Sequence, residues 1–510
     1  MLRVRPTCEI IGVINKPIAC RRQTMALNTE SIVPQLRRDF ETLVDYVTGP
    51  ASAEHAVYTV ELHLFRSLLA LGAALLGLFF RTRAAARPPT PVAPDGQPMT
   101  FHGRRSVRYI SIFGALWVPR HYFTATGQAS ATPLDAELSL PATAYSDLLR
   151  EWGAYGDTEQ AYRENQTLLE RLLGLTVSVQ TREQQMVRSA VDVDAFYAQP
   201  VAAADPTTEG TILVAQADGK GVPMIKDATA QPVRLGKGQK RGTKKEAIVT
   251  ALYTVAPYVR TADEVADAIL HATDPALVRP RPRPVGKEQH ATLAGKATAC
   301  ADLAARAAPR DGAHIQHRVA LTDGAEALQD QMQAQLPGYT LVVDIIHVNE
   351  YLWDAVNALL GETHVGRTAW IRPKLVQLLQ GTTMDVITAL EAEAASSTCT
   401  ETQRKALLRT SGYYRRNQPY RHYDDYLAQG WPIGTGVVEG ACGHLVKDRM
   451  EKAGMRWTIA GAQAVLDLRA VRLNGDWDAY WIFHRQQQHQ RLYATSPAAL
   501  PEEQLFRQAA

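Results

Sequence analysis

Apolar positions recur at helical spacing over residues 25–83, and this region closes on a run without a charge, Leu68 to Phe80 (LLALGAALLGLFF), flanked by Arg66, Arg81 and Arg83. A membrane span needs about 20 apolar residues. The run is shorter and is read as a buried helix, whose Ala70, Gly72, Ala73, Ala74 and Gly77 allow close packing. The Pro-rich stretch 84–98 reads as a linker. Ser106 to Val118 reads as one strand-like segment, with Val107, Tyr109 and Phe113 on one face and Ile110 and Ile112 on the other. From Pro141 the period turns helical, giving Tyr145–Tyr155, Glu159–Leu173 and Thr181–Tyr197, broken at Gly156 and Gly174. Three such helices suit a helix-turn-helix DNA reader. They suit an ordinary bundle equally, since nothing marks a recognition helix.

The second half alternates strands and helices. Ile212 to Ala217 is a strand, Asp218-Gly219-Lys220-Gly221 a turn, and Val222 to Ile225 a second strand. A basic Gly-rich loop (237–245) precedes a strand over Ala247–Val255 and a helix over Ala262–His271. Leu277–Val285 (LVRPRPRPV) reads as an extended connection, followed by a longer helix over about Gln289–Ala308. Arg318 to Gly324 is a strand ending in an acid, Ala325–Leu336 a helix, and Tyr339–Ile346 an apolar strand with Asp344 inside it. Such runs belong to central strands covered on both faces. Residues from His347 to about Gly430 are helical, with Trp353, Leu359, Leu360, Trp370, Leu375, Leu378 and Leu379 as core candidates, and Gly434-Thr435-Gly436 opens a helix carrying Glu439.

The expected divisions are an N-terminal helical region (1–83), a linker with a small β module (84–140) and a helical, DNA-reading segment (141–200). An α/β core then spans 201–346 and 431–485, interrupted by an all-helical insertion (347–430) and followed by a tail (486–510). Net charge of +3, from 55 basic against 52 acidic residues, gives no global polyanion signal, and 46% hydrophobic content excludes general disorder. A nucleic-acid partner would have to meet local patches. Five scattered cysteines without a C-x-x-C pair argue against a disulfide framework or a zinc site and for a reducing cytoplasm. The first 24 residues lack the apolar core of a signal peptide, and Met25 is a candidate start.

Three acids stand at element edges: Asp218, Asp323 and Glu439. A carboxylate at the end of a buried strand is costly unless a positive group pairs with it. Clustered carboxylates repel, and divalent cations reverse that penalty. Oxygen-only ligands suit Mg²⁺ or Mn²⁺, and two ions about 3.5–4 Å apart activate a nucleophile at a phosphodiester. The bland alternative is that each Asp-Gly simply makes a turn.

The order Asp218-Gly219-Lys220-Gly221, Thr322-Asp323-Gly324, Asp344-Ile-Ile-His347 and Gly434-Thr-Gly-Val-Val-Glu439-Gly resembles bacterial ISKra-type insertion-sequence transposases, relatives of the Mutator-like group. The resemblance extends through Tyr253–Pro257, Tyr351–Asp354, Leu445–Met450 and Gly454–Trp457, covering roughly residues 91–481. It implies an RNase H-like mixed sheet whose helical insertion precedes the last acid. Asp218, Asp323 and Glu439 are then catalytic and ligate two Mg²⁺ (or Mn²⁺) ions, with Asp344 and His347 accessory. The plain alternative for His347 is a residue that ends a strand and satisfies a carbonyl. Two features depart from the family: Arg120–Gly127 lacks its paired cysteines, and Arg310-Asp311-Gly312 stands where Arg-Asp-Pro is expected.

Phosphate neutralisation falls to Lys237, Lys240, Arg241, Lys244 and Lys245 near the first acid, and to Lys447, Arg449, Lys452 and Arg456 after the last. Lys447, eight residues after Glu439, would share its helical face. Arg415, Arg416 and Arg421, interleaved with Tyr413, Tyr414, Tyr420 and Tyr423, form either a base-stacking patch or a packed surface. The expectation is a cytoplasmic, nucleoid-associated DNA transposase. Its partners would be double-stranded DNA (terminal inverted repeats and target), with no membrane and with self-association when two ends are synapsed. It would nick at the inverted repeats and join the freed 3′-OH to target DNA. The alternatives are a nuclease of the same fold without strand transfer, or an inactivated, DNA-binding derivative.

Overall fold

The computed structural model describes residues 29–200, 206–225, 244–273, 279–494 and 496. Lys237, Lys240, Arg241 and the first 24 residues lie outside them.

The described residues form two compact units, one reaching to residue 146 and one spanning residues 147–492. In the first, α1 (Thr29–Thr48), α2 (Pro50–Ala53) and α3 (Val57–Arg83) precede a hairpin, β1 (Thr100–Ser111) and β2 (Gly114–Thr124), and a short α4 (Pro133–Glu137). The single strand expected over Ser106–Val118 is in fact folded back on itself at Ile112-Phe113. Ser111 Oγ accepts from Phe113 N–H at 3.1 Å, and Gly114 takes φ 123°, which only glycine adopts freely. The alternation holds on both sides of the turn, so periodicity alone could not mark it.

The apolar run of α3 is not buried, contrary to expectation: of Leu68–Phe80 only Phe80 is enclosed, while Leu68, Leu75 and Phe79 are exposed. Its small-residue face takes the hairpin. A Cβ on Gly72 would come 2.6 Å from the Phe113 ring. The leucine face is left open. Among the described residues α3 is also the one helix long and apolar enough to cross a membrane.

In the second unit, α5 (Asp147–Glu159), α6 (Tyr162–Leu173), α7 (Val179–Ala190) and α8 (Val193–Tyr197) pack beside α19 (Ile459–Asn474) and α20 (Trp477–Tyr493) around Met186, Trp457, Leu466 and Trp481. Gly156 does not break its helix, and Asn165 occupies the space a Cβ there would need. Gly174 does end one, in the left-handed conformation. The buried Asp157–Arg182 pair, 2.7 Å apart, ties α5 to α7. Residues 486–493, expected in a tail, continue α20.

The sheet holds five strands in the order β5-β4-β3-β6-β7: β3 (Ile212–Pro223), β4 (Lys244–Val255), β5 (Val285–Thr292), β6 (His317–Thr322) and β7 (Thr340–Val343). β3–β4–β5 is an antiparallel meander, and β6 and β7 run parallel to β3. The protein is thus mixed α/β. Three expectations change here. Asp218-Gly219-Lys220-Gly221 is not a turn: β3 runs straight through it, paired with β4 from Ile212↔Val255 to Pro223↔Lys244. Cross-strand pairing overrides the turn preference, and the side chains of Glu246 and Lys244 occupy the space beside Gly219 and Gly221. The first four residues of the helix expected from Gln289 instead close edge strand β5, whose outer Gln289 N–H and C=O are covered by Asn474 of α19. Asp344 lies after β7 rather than inside it, where it starts the next helix.

Pleating sorts the faces. Leu213, Ala215 and Ala217 face α10 (Lys296–Ala307) and α11 (Glu326–Gln335). Ile212 and Val214 face the helices after β7: α12 (Ile345–Leu360), α13 (Arg367–Leu379), α14 (Thr383–Ala395), α15 (Glu401–Arg416) and α16 (Tyr423–Ala428). α9 (Ala262–Ile269) joins the same side through Val265 and Ala266. The chain returns to the sheet through α17 (Gly436–Ala441), a π-helical turn (Cys442–Lys447) and α18 (Asp448–Met450).

Candidate functional site

Register brings the acids together. β3 and β6 pair Gln216 with Leu321, so two residues on, Asp218 stands level with Asp323. β6 and β7 pair Thr322 with Val343, which sets Asp323 level with Asp344. Neighbouring strands are about 4.8 Å apart. The two-residue period also assigns all three acids to the face of Ile212, Val214, Leu321 and Val342, the face that receives α17. β6 and β7 end here, and Asp323 and Asp344 begin the loops that leave them.

Asp344 is the N-cap of α12. Its Oδ1 accepts from the Ile346 and Thr435 N–H groups (3.2 and 3.1 Å), and its Oδ2 from the His347 N–H and Nδ1 (3.1 and 2.7 Å). The residue is 0% exposed. Four donors fill the four acceptor positions of a carboxylate. The hydrogen bond to Asp344 chiefly raises the His347 pKa, to about 9, with further help from the charges of Asp344, Glu350 and Asp323 and against the effect of burial.

Glu439 comes from α17. Its Oε1 accepts from Thr435 Oγ1 at 2.6 Å and lies 4.0 Å from His347 Nδ1. Gln216 on β3, fully buried, fixes this helix: its Oε1 accepts from Val438 N–H (3.0 Å) and its Nε2 donates to the Gly434 carbonyl (3.2 Å). Further along, Cys442 Sγ donates to Asp218 Oδ2 at 3.3 Å across 224 residues of sequence. Burial, then Asp218, raises the pKa of that thiol, and Glu439 adds to the effect.

Asp323 is held from the helical insertion. Tyr413 of α15 donates to its carbonyl at 2.9 Å, and Arg416 donates to the Gly324 carbonyl at 3.0 Å. Gly324 has φ 86°, and a Cβ there would meet Tyr413 Oη at 2.6 Å. The Arg/Tyr cluster considered for base stacking is largely spent in this way. Tyr414 donates to Val348, Tyr423 to Val343, Arg421 to Tyr414, and Arg415 pairs with Glu391.

Among the described residues, the ligand atoms that lie within 4.8 Å of one another are those of Asp344, His347 and Glu439. Asp218 and Asp323 stand outside that group. Proximity and capacity differ, however, because every acceptor position of Asp344 is taken. Glu439, Asp218 and Asp323 are all partly solvent-accessible and retain free acceptor positions. Of these four carboxylates, Asp218, Asp323 and Glu439 keep free acceptor positions, while Asp344 orients His347 and the Thr435 turn.

The expected phosphate contacts divide. Lys245, Lys447, Lys452 and Arg456 are exposed. Lys244 pairs with Glu451. Arg449 is fully buried, donating to the Asp157 carbonyl at 2.7 Å and lying over the Tyr162 and Trp457 rings, so it does not face solvent. Between Glu439 and Lys447 the helix takes a π turn over Cys442–Lys447. Arg469 takes the His444 and Leu445 carbonyls of that turn.

Sequence reading passed over Gln216, Thr435 and Cys442. Gln216 had a signal, as a polar residue inside an apolar strand. No family model and no curated protein matches the chain.

Proposed function

We propose that the protein is a DNA transposase of the RNase H-like class, cutting at inverted-repeat ends and joining the 3′-OH to target DNA. The observation that carries the reading is the register: Asp218, Asp323 and Asp344 stand in one row on one sheet face, with Glu439 delivered to that face by Gln216 and Thr435. A five-stranded order with an antiparallel meander on one side and two parallel strands on the other supports the RNase H-like core, as do the helices between Asp323 and Glu439.

Asp218, Asp323 and Glu439 would hold two Mg²⁺ or Mn²⁺ ions, their free oxygens being the hard donors such ions take. Bound there, such a pair would serve to activate the attacking oxygen and stabilise the leaving one. The chain's own residues supply geometry and charge. Asp344 keeps the His347 imidazolium beside Glu439, Gln216 and Thr435 set the direction of the Glu439 carboxylate, and Tyr413 with Arg416 fixes the Asp323 loop. Exposed Lys245, Lys447, Lys452 and Arg456 would meet phosphates.

The test is Asp323→Asn with inverted-repeat DNA in Mg²⁺. End binding should persist and strand cleavage should vanish, and continued cleavage removes Asp323 from the site. Incubating precut ends with a target plasmid separates a transposase, which yields joined products, from a nuclease, which does not.

A further inference from the structure

Between β4 and β5 the chain reads Arg279-Pro280-Arg281-Pro282-Arg283-Pro284. Each proline fixes its own φ and bars the preceding residue from the helical region. The run is accordingly extended, joins no helix or strand, and exposes all three arginines. Its start is anchored. Arg279 donates to the Val259 carbonyl (3.1 Å) and to Glu264 (3.0 Å), lies 5.1 Å from the Tyr258 ring centre, and accepts at its carbonyl from Tyr258 Oη (3.4 Å). Arg260 flanks the same ring, its pKa pushed down to about 10 by burial and by Arg281, and it stays cationic at neutral pH.

Among the described residues, the nearby carboxylates are already matched. Glu264 pairs with Arg279, and Asp263 and Asp267 both pair with Arg372. Among the described residues, Arg281 and Arg283 have no ion-pair partner. This strip also stands away from the acids. Val285 pairs with Thr254, which pairs with Leu213 at the start of β3. Asp218 lies five residues further along that strand, about 17 Å at 3.4 Å per residue.

We propose that Arg281 and Arg283 bind the phosphodiester backbone of duplex DNA at a point removed from the acidic site. The inference rests on the reading of duplex DNA as substrate and adds a second contact region to it. At about 3.1 Å per residue, the three arginines span about 12 Å, or three to four nucleotide steps of 3.4 Å. Guanidinium groups meet phosphates through paired hydrogen bonds. The prolines hold the backbone straight beforehand, so binding does not have to order it.

The experiment measures binding of the full chain to a random-sequence duplex without divalent metal, across 50 to 200 mM salt. Arg281→Ala with Arg283→Ala should weaken binding about tenfold or more at low salt. It should also flatten the log–log salt slope by about 1.8, from two contacts at 0.9 each, while the paired Lys variant keeps most of the slope. An Ala pair with unchanged affinity and slope overturns the strip, as does polyglutamate competing charge for charge as well as duplex. The two readings fail separately. A wild type that cuts DNA although the Ala pair leaves the slope intact loses only the strip. One whose binding depends on the strip but that never cuts in Mg²⁺ loses only the transposase.

Discussion

Two basic stretches of this chain look alike in sequence and meet opposite fates. In Lys447–Arg456, beside the last acid, Arg449 has turned inward, enclosed by Tyr162 and Trp457 and bonded to the Asp157 carbonyl. In Arg279–Pro284, Arg281 and Arg283 are exposed and have no ion-pair partner among the described residues. The difference comes from the backbone around them. Arg449 follows the π turn and sits in a core that Arg469 and the Asp157–Arg182 pair already make polar. Alternating prolines deny the other stretch any helix that could turn an arginine inward. Charge in a sequence therefore marks a ligand surface only where the fold has left it unpaired.

The largest expected effect separates the two arginine sets by stability. Arg449→Ala removes a large buried side chain and leaves the Asp157 carbonyl without its donor, so the unfolding transition of the second unit should lose about 3 kcal/mol. Arg449→Met restores volume and should recover part of it. Arg281→Ala and Arg283→Ala should each stay within about 0.5 kcal/mol of wild type. Denaturant midpoints decide the matter, and an Arg449→Ala midpoint equal to wild type would erase the distinction.

The same rule applied to carboxylates sharpens the site. Asp344 is saturated and Glu439 is not. Asp344→Asn keeps two acceptor positions and loses the hold on His347, so cleavage should fall roughly 10- to 100-fold, as for residues that orient a metal site from behind, with a modest loss of stability from the weakened cap. Glu439→Gln should abolish cleavage and leave the unfolding midpoint nearly unmoved. Equal behaviour of the two variants in both assays would mean that saturation does not assign the roles.

Much of the molecule was legible in its sequence. Asp323 and Glu439 sit where strand-to-acid junctions and the glycine-rich turn predict, and helices fill most of the interval between β7 and α17. The misses share a cause, because residue preference was read without the partner that overrides it. Asp218-Gly219-Lys220-Gly221 has turn composition, but twelve pairs with β4 keep it extended. The end of polar, alternating β5, Gln289–Thr292, reads as part of the neighbouring helix because an edge strand carries few apolar residues. Asp344 comes so soon after an apolar strand that the cap was read as its continuation. The roles of Gln216 and Cys442 depend on contacts more than 200 residues apart, which no local pattern encodes.

The smallest effect concerns a buried group that burial and a neighbouring guanidinium keep neutral against a carboxylate. His484 of α20 is 1% exposed, with Nδ1 2.6 Å from Asp192 Oδ2 and Nε2 3.0 Å from Arg150 Nη2. Arginine can only donate, so Nε2 must accept and the proton must sit on Nδ1. Protonating Nε2 would set an N–H against an N–H. Burial, joined by the charge of Arg150 and opposed by Asp192, therefore holds the His484 pKa below its usual 6.5. The unfolded chain then takes up this proton before the folded one does, and stability falls as pH drops through 6.5 towards the folded value. One proton limits the slope to about 1.4 kcal/mol per pH unit. Melting of wild type and His484→Gln at pH 7.5 and 5.5 should show wild type losing more on acidification, by about 1 kcal/mol. Parallel losses would mean that Arg150 moves aside and that the pocket accepts imidazolium, placing His484 with the charges this fold can leave open rather than with Arg449.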